Sequence, residues 1–391
     1  MPKKKPGPEA FATRAIRAGQ DHDAATGAVI PPIFQSSTFV QDGIGGLRGG
    51  YEYGRSANPT RTALEIQLAA LEGGRHGLAF SSGLAAEDAL LRAVVRPGDH
   101  IVIGNDVYGG TYRLINRIFG DWGVEHTVVD LADLRAVGKA ITPRTKALWI
   151  ETPSNPLMKI SDVAELTEMA HAAGILAVVD NTFASPALQR PLDLGADVVV
   201  HSLTKYIGGH SDIIGGGLVL DDDELEEKVR FLQFAAGAIL APMESWLTTR
   251  GIKTLDVRMQ RHSETAGRLA EFLDGHPGVE TVYYPGLPGH PGHAIAASQM
   301  SGFGGMLSIA VAGGERTARR FAEKTRIFRL AESLGGVESL VNYPSAMTHA
   351  SVAGTELAVP KNVVRLSVGL EDADELIADV DRALGKAVKQ R

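Results

Sequence analysis

The chain has 391 residues, 44% hydrophobic and 22% charged, with 39 basic and 46 acidic side chains and no cysteine. A net charge of −7 offers no basic surface for nucleic acid or an anionic membrane, and the lack of cysteine excludes disulfides, a thiolate nucleophile and Cys-ligated metal. The length predicts two to three domains. With no apolar N-terminal leader and no run of about 18 apolar residues, the expectation is a cytoplasmic enzyme without a membrane span.

Residues 1–58 are rich in Gly, Pro and Thr and read as an extended arm, with Lys3-Lys4-Lys5 in a solvated tail. Asn58-Pro59 marks a helix start, an N-cap followed by proline at the first helical position. Leu64, Gln67, Leu68 and Leu71 follow at helical spacing, and Gly73-Gly74 is the stop. The strand Leu78-Ala79-Phe80 leads directly into a helix opened by Gly83-Leu84. The free N–H groups there suit an anion, although an ordinary strand–helix turn looks the same. Next come a strand over His100–Ile103, a helix over Thr111–Phe119, and strands over Val124–Val129 and Lys146–Ile150 around a helix at Leu131–Ala140. A helix over Val163–Ala173 leads to the strand Ile175–Asp180, and Ala196–His201 is a further strand. Asp222–Ala236 begins a long helical region, with Pro242 as a break, and a new helix runs from Leu255 through Phe272. The last third offers strands at Thr281–Tyr284, Met306–Ala310 and Val363–Val368, and helices at Glu315–Glu323 and Asp374–Leu384. This alternation predicts an α/β fold with a mostly parallel central sheet covered on both faces. The expected division is an arm (1–58), a large α/β domain (59–254) and a smaller C-terminal α/β domain (255–391). In such sheets ligands gather at the strand C-terminal ends.

The chemistry concentrates at two of those ends. Lys205 follows the strand Ala196–His201, with Ser202 and Thr204 just before it and Gly208-Gly209 behind. An amine there can form a Schiff base with an aldehyde, and the two hydroxyls can bond a phosphate beside it, as pyridoxal 5'-phosphate requires. An exposed loop lysine has the same local look. Asp180 ends the preceding strand, where its carboxylate can pair with a protonated ring nitrogen; an aspartate after a strand is also a common cap. Lysine, aspartate and hydroxyls on neighbouring strand ends point together to the cofactor. Arg365 interrupts the apolar run Val363–Val368. A charge in such a run is not buried without a partner, so it is either a clamp for a substrate carboxylate or an edge-strand residue facing water. His290 and His293 stand in a Pro/Gly loop without carboxylate support, and no HExxH, GxGxxG or P-loop pattern occurs, so no metal or dinucleotide site is expected.

Further segments complete the pattern: Tyr51-Glu52-Tyr53-Gly54-Arg55-Ser56-Ala57-Asn58-Pro59-Thr60, Ser81-Ser82-Gly83-Leu84-Ala85-Ala86, Asp106-Val107-Tyr108-Gly109-Gly110-Thr111-Tyr112-Arg113, Glu151-Thr152-Pro153-Ser154-Asn155-Pro156, Asp180-Asn181-Thr182-Phe183 and Ala331-Glu332-Ser333-Leu334-Gly335-Gly336. In this order, and with the Lys205 segment, they resemble the Cys/Met-metabolism (trans-sulfuration) family of PLP-dependent enzymes, of fold-type I like aspartate aminotransferase. The likeness runs from about Thr13 to about Leu384. It implies that Lys205 carries the cofactor and moves protons. Gly83, Leu84, Ser202 and Thr204 would hold the phosphate, Asp180 the ring nitrogen and Asn155 the ring oxygen. Tyr108 would stack on the ring and, where the nearby cofactor cation lowers its pKa, act as a base. Tyr53 and Arg55 would reach the phosphate of a neighbouring subunit in a homotetramer built as a dimer of dimers. Arg365 would clamp the substrate α-carboxylate, Arg113 a second carboxylate, and Glu332 with Ser333 the distal ammonium.

Within that family Gly110 stands where methionine γ-lyases carry cysteine, and Glu332 where β-lyases carry an aromatic residue; the extra loops of the homoserine sulfhydrylases are absent. The resemblance therefore implies γ-replacement, in which cysteine and an O-acylated homoserine give cystathionine. The alternative is γ-elimination from cystathionine to cysteine, 2-oxobutanoate and ammonia. Gly45–Tyr51 and Ser301–Met306 favour replacement. A protein that binds the cofactor without turnover is the alternative from another class.

Overall fold

A computed structural model describes residues 10–348 and 357–388. Seven strands form the larger sheet: β1 (His76–Phe80), β2 (His100–Gly104), β3 (Glu125–Val129), β4 (Thr145–Glu151), β5 (Leu176–Asp180), β6 (Val198–Ser202) and β7 (Gly216–Leu220). Their spatial order is β1-β7-β6-β5-β4-β2-β3. Strands β2 to β6 pair in parallel, while β7 runs antiparallel to both β1 and β6. Both faces are buried, which explains the near-continuous apolar strand sequences. Ile101, Ile103, Trp149 and Val178 join one core, and Val102, Leu148, Ile150, Ala177 and Val179 join the core on the opposite face.

The smaller sheet contains β8 (Val279–Tyr283), β9 (Met306–Val311), β10 (Arg329–Leu330), β11 (Leu340–Asn342) and β12 (Val363–Ser367), in the order β10-β11-β12-β9-β8. Strand β12 is internal, antiparallel to both β9 and β11. Arg365 is therefore not an edge residue.

Helices α1 (Phe11–Arg17), α2 (Pro59–Glu72), α3 (Gly83–Val94) and α4 (Gly109–Arg113) matter most to the site. Asn58 caps α2 as its sequence indicates, accepting from the N–H groups of Thr60 and Arg61 at 2.9 and 3.4 Å, and Gly73 ends it at φ +83°. Ser82 caps α3 by accepting from the Ala85 N–H at 3.0 Å.

Two local expectations are corrected, and one strand is added. The arm is not wholly extended, because it contains α1. Seven residues do not hold a helix by themselves, but Ala15 is buried and its carbonyl accepts from Gln67 Nε2 at 2.7 Å, docking α1 on α2. Pro242 marks the expected break in the helical region, the first helix ending at Ala236 and a new one, Pro242–Ile252, opening at the proline; proline is suited to a first turn, where its missing N–H has no partner to lose. The helix expected over Thr111–Phe119 begins at Gly109 and widens into a π-helical turn at Leu114–Phe119. Strand β7 went unread because Gly215-Gly216-Gly217 lacks the β-branched signature. Among the described residues no helix is long and apolar enough to cross a membrane.

Candidate active site

The parallel register sets Glu151 of β4 beside Asp180 of β5, and Asp180 beside Val200 of β6, so that these strands end together. Above those ends lies a cavity of about 590 Å³. Ser82, Gly83 and Leu84 enter it from the start of α3, Tyr108 from the loop after β2, and Lys205 from the turn after β6. The segment Ala331–Leu334 and Arg365 of β12 close it from the smaller sheet. Two distant parts of the sequence thus meet over one set of strand ends.

Lys205 Nζ donates to Ser333 Oγ at 2.9 Å. Burial, reinforced by the positive Arg365 and opposed by Glu332, brings the ammonium pKa down to about 8. The amine is therefore partly neutral near physiological pH, the form a nucleophile or base requires. The Ser333 turn sits close against the lysine turn. Ser333 has φ +82° and Gly335 φ +77°, and a Cβ on Gly335 would stand 2.7 Å from the Tyr206 nitrogen. Only glycine allows that approach.

Arg365 is 2% exposed. Its Nη1 donates to Asn155 Oδ1 at 2.8 Å and its Nη2 to the Ser333 carbonyl at 2.9 Å. Nε is buried without a partner. Burial lowers the pKa to about 10, so the guanidinium stays charged at neutral pH. A buried cation bonded only to neutral oxygens calls for an anionic ligand.

Asp180 accepts from the Thr182 N–H at 2.9 Å. Burial raises its pKa, against the Thr182 hydrogen bonds. Two further acidic residues line the same cavity: Glu151, which accepts from the Tyr108 N–H at 2.7 Å, and Glu87 of α3. Burial and the neighbouring Asp180 push both carboxyls well above the ordinary carboxylate range. Such a cluster is stabilised by an incoming cation.

Burial raises the Tyr108 phenol pKa, more than Arg113 lowers it. Glu87, Glu332 and Glu151 raise it further. Its ring covers Gly110, where an added Cβ would stand 2.3 Å from Tyr108 Cε1. A side chain at position 110 would displace the tyrosine.

Ser202 lies against the start of α3, since a Cβ on Gly83 would stand 3.2 Å from that of Ser202. The Ser202 N–H donates to Thr182 Oγ1 at 2.9 Å. The Thr204 hydroxyl lines the cavity while accepting from the Gly215 N–H at 3.1 Å. Arg113 is exposed on α4 and outside the lining, acting on the site through Tyr108. Tyr53 and Arg55 lie on the arm, away from this cavity. Arg55 Nη1 donates to the Phe234 carbonyl at 2.7 Å, and its guanidinium covers the Phe234 and Tyr53 rings. Glu332 is exposed on the cavity rim.

Sequence reasoning missed Glu87, Glu151, Thr182, Phe183, Ile213, Ile214 and Thr348 among the lining residues. For Glu151 a signal existed, because it ends a buried strand with a carboxylate just as Asp180 does. For Glu87 the signal was helical spacing, four residues after Gly83.

One wall thus collects carboxyl groups, another the buried Arg365 and Lys205, and a third the free N–H groups of a helix start. That donor set fits a ligand carrying an aldehyde, a cationic ring nitrogen and a phosphate. The class is the PLP-dependent enzymes: the family model for Cys/Met metabolism PLP-dependent enzymes matches residues 12–385, and the chain belongs to that family. It is 61% identical over 374 residues to cystathionine gamma-synthase of Mycobacterium tuberculosis (strain ATCC 25618 / H37Rv), covering 96% of each chain. It is 48% identical to cystathionine gamma-lyase of Bacillus subtilis, covering 95% of this chain and 98% of that one. The crystal structure of cystathionine gamma synthase from Xanthomonas oryzae pv. oryzae in complex with aminoacrylate and cysteine matches with a TM-score of 0.95 and 47% identity, over 98% of this chain and 100% of that one.

Proposed function

We propose that this enzyme joins cysteine to an O-acylated homoserine, replacing the γ-acyloxy group by sulfur to form cystathionine. The observation that carries this reading is the match to a cystathionine gamma-synthase at 61% identity over 96% of the chain, with a cavity holding a desolvated lysine, a buried arginine and buried carboxyls. When bound, pyridoxal phosphate supplies an electrophilic carbon and a cationic, electron-withdrawing ring. Lys205 is the anchoring amine; once free, its Nζ removes and restores protons at the substrate Cα and Cβ, the loss of a Cβ proton letting the γ-carboxylate leave and its return following addition of the sulfur. Ser333 orients that amine. Asp180 holds the ring nitrogen, Asn155 the ring oxygen, and Tyr108 covers the ring face. Gly83 and Leu84 offer backbone N–H groups to the phosphate, with Ser202 and Thr204 beside them. Arg365 takes the substrate α-carboxylate on its planar fork, and its unpartnered Nε is a donor available for that bond. Phe183, Leu334 and Ile213 keep water from the reacting carbons. Glu332 attracts the ammonium of the incoming cysteine, and Arg113 a second carboxylate.

Several wider properties belong to the same reading. The chain works as a cytoplasmic homotetramer in which Tyr53 and Arg55 of one subunit complete the phosphate site of the next. Residue 254 separates a larger cofactor-binding domain from a smaller C-terminal one. Incubation with O-succinylhomoserine or O-acetylhomoserine, with and without cysteine, tests the assignment. Cystathionine should form only when cysteine is present. The second reading, γ-elimination, is favoured by the match to a cystathionine gamma-lyase; it requires cystathionine alone to yield cysteine, 2-oxobutanoate and ammonia faster than the replacement runs.

A further inference from the structure

Two loops bring Tyr108 and Asn155 to the cavity, one after β2 and one after β4. Asp106, in the first loop, reaches across to the second. Its Oδ2 accepts from the Ser154 hydroxyl and from the Leu157 N–H, the latter at 2.9 Å. Its carbonyl accepts from the Asn155 N–H at 3.3 Å. Side chain and main chain of one residue thus hold the turn 154–157. Ser154 extends the tie, because its Oγ also accepts from the Lys159 N–H at 2.9 Å. From the smaller sheet, Ser308 of β9 donates to the Pro156 carbonyl at 2.7 Å. Asn155 stands in the middle of this turn, and its Oδ1 accepts from Arg365 at 2.8 Å. A side chain delivers a bond to a fixed point only when its own backbone is fixed. Asp106 is buried, as is Ser154, and it does not line the cavity. A carboxyl in so dry a place costs free energy, and its donors here are neutral, because Lys159 Nζ is directed to Asn105 and Asp130 at 2.9 and 3.0 Å. Burial raises its pKa to about 7, opposed by Ser154, Leu157 and Lys159, with Asp130 adding to the rise. Glu151 at the end of β4 and Tyr283 of β8 are the other titratable groups that feel its charge.

We propose that Asp106 is a positioning residue for Asn155, its carboxylate fixing the turn that holds Asn155 against Arg365 and toward the ring of the cofactor. This rests on the reading that Asn155 meets the ring oxygen of pyridoxal phosphate. Asp106 acts through Ser154 and Leu157 and touches neither cofactor nor substrate. The anion binds its two donors more strongly than the neutral acid does. The turn is therefore held most firmly above about pH 7 and loosens as pH falls through that value.

Titration of the apo-protein with pyridoxal phosphate tests this, reading affinity and the absorption band of the bound cofactor. Asp106→Ala should bind roughly tenfold more weakly at about pH 8, the loss expected for a buried charge-assisted bond, with a displaced band. Asp106→Asn keeps a neutral acceptor, so it should bind about threefold more weakly at about pH 8 and match the parent at about pH 6. Lys205 titrates in both proteins and cancels when their affinities are taken as a ratio. In an Asn155→Ala background, Asp106→Ala should add less than about twofold, because nothing is left for it to position. A merely structural role would keep the two losses additive, and additive losses would overturn the proposal. So would an Asp106→Ala protein with the parent's affinity and band, or an Asp106→Asn protein equal to the parent at every pH. If Asp106→Ala does not fold, as judged by circular dichroism, Ser154→Ala decides; it should lose about threefold, and parental binding by that variant overturns the assignment. Asn155→Ala by itself separates the two layers of inference. If it binds as the parent does, the reading of Asn155 fails and the proposal with it; if it is impaired while Asp106→Ala is silent, only the role of Asp106 fails.

Discussion

The strand-end cavity and the N-terminal arm both carry residues assigned to cofactor and substrate, yet they are built in opposite ways. In the cavity the functional side chains are held from within the chain. Lys205 bonds Ser333, Arg365 bonds Asn155 and the Ser333 carbonyl, and Asp180 bonds Thr182. On the arm Tyr53 is 44% exposed, and Val29, Val40 and Ile44 project their apolar side chains outward. Arg55 stacks on the neighbouring aromatic rings instead of meeting an anion. A residue in the first region can be assigned from its own contacts. One in the second has no anion among its contacts in this chain, and the neighbour proposed to supply one is a second copy of the chain.

The largest expected effect lies inside the cavity. Lys205→Ala should keep the fold and lose turnover by at least about 10²–10⁴-fold, the range for removing a general acid–base group. Borohydride treatment of the parent loaded with cofactor, followed by peptide mapping, should find the label on Lys205. Label on another lysine would remove the centre of the site. Arg365→Leu strips the donor from Asn155 and from the Ser333 carbonyl as well as from substrate. Steady-state kinetics should show kcat/KM down by roughly tenfold to 150-fold. Arg365→Lys should recover only part of that, because an ammonium lacks the planar fork.

On the arm, Arg55→Ala should weaken cofactor binding by about tenfold with little change in the melting temperature of the apo-protein. Mixing this variant with Lys205→Ala should restore some activity if the subunits exchange, because one class of hybrid site then has both residues. Parental cofactor affinity in Arg55→Ala would end the contrast between the two regions. At the rim, Glu332→Ala should lower kcat/KM for cysteine roughly three- to tenfold, since an exposed carboxylate contributes less than a buried one. Cofactor affinity should not change.

The smallest effect is a shift in pH dependence. Below about pH 8 the amine of Lys205 is mostly protonated and cannot add to an aldehyde, so cofactor capture by the apo-protein should accelerate as pH rises through about 8. Arg365 lowers this pKa and Glu332 raises it. Stopped-flow absorbance should therefore find the midpoint moved upward in Arg365→Leu and downward in Glu332→Ala. An unmoved midpoint in both variants would show that burial alone, and not the two charges, sets the amine.

Local pattern made much of this legible. Asn58-Pro59 and Gly73 mark the ends of α2 because capping is a property of a few adjacent residues. Asp180 and Lys205 stand out because each closes or follows a short β-branched strand, and both strand and end are written locally. Glu87 did not stand out, since an isolated helical glutamate reads as a solvated face. Only the packing of α3 against α4 and the strand ends buries it. The setting of Tyr108 was hidden for a similar reason: its pKa is raised by burial first, and the carboxyls that add to this come from α3, β4 and the 331–334 segment.

By itself the sequence determined the α/β class, the order of most strands and helices, the lysine–aspartate pair and the family resemblance. These depend on spacing, on caps and on motifs that survive without knowledge of contacts. The tertiary structure decided whether Arg365 faces water at a sheet edge or lines the cavity, because β12 becomes internal only by pairing with β9 and β11. It brought the Ser333 turn onto Lys205 across 128 positions of sequence, and Asn155 onto Arg365 across 210. It also assembled the carboxyl wall. Burial and charge pairing are sums over neighbours in space, so they appear only when separate elements have packed, and the perturbed groups proposed to do the chemistry are the ones most dependent on that packing.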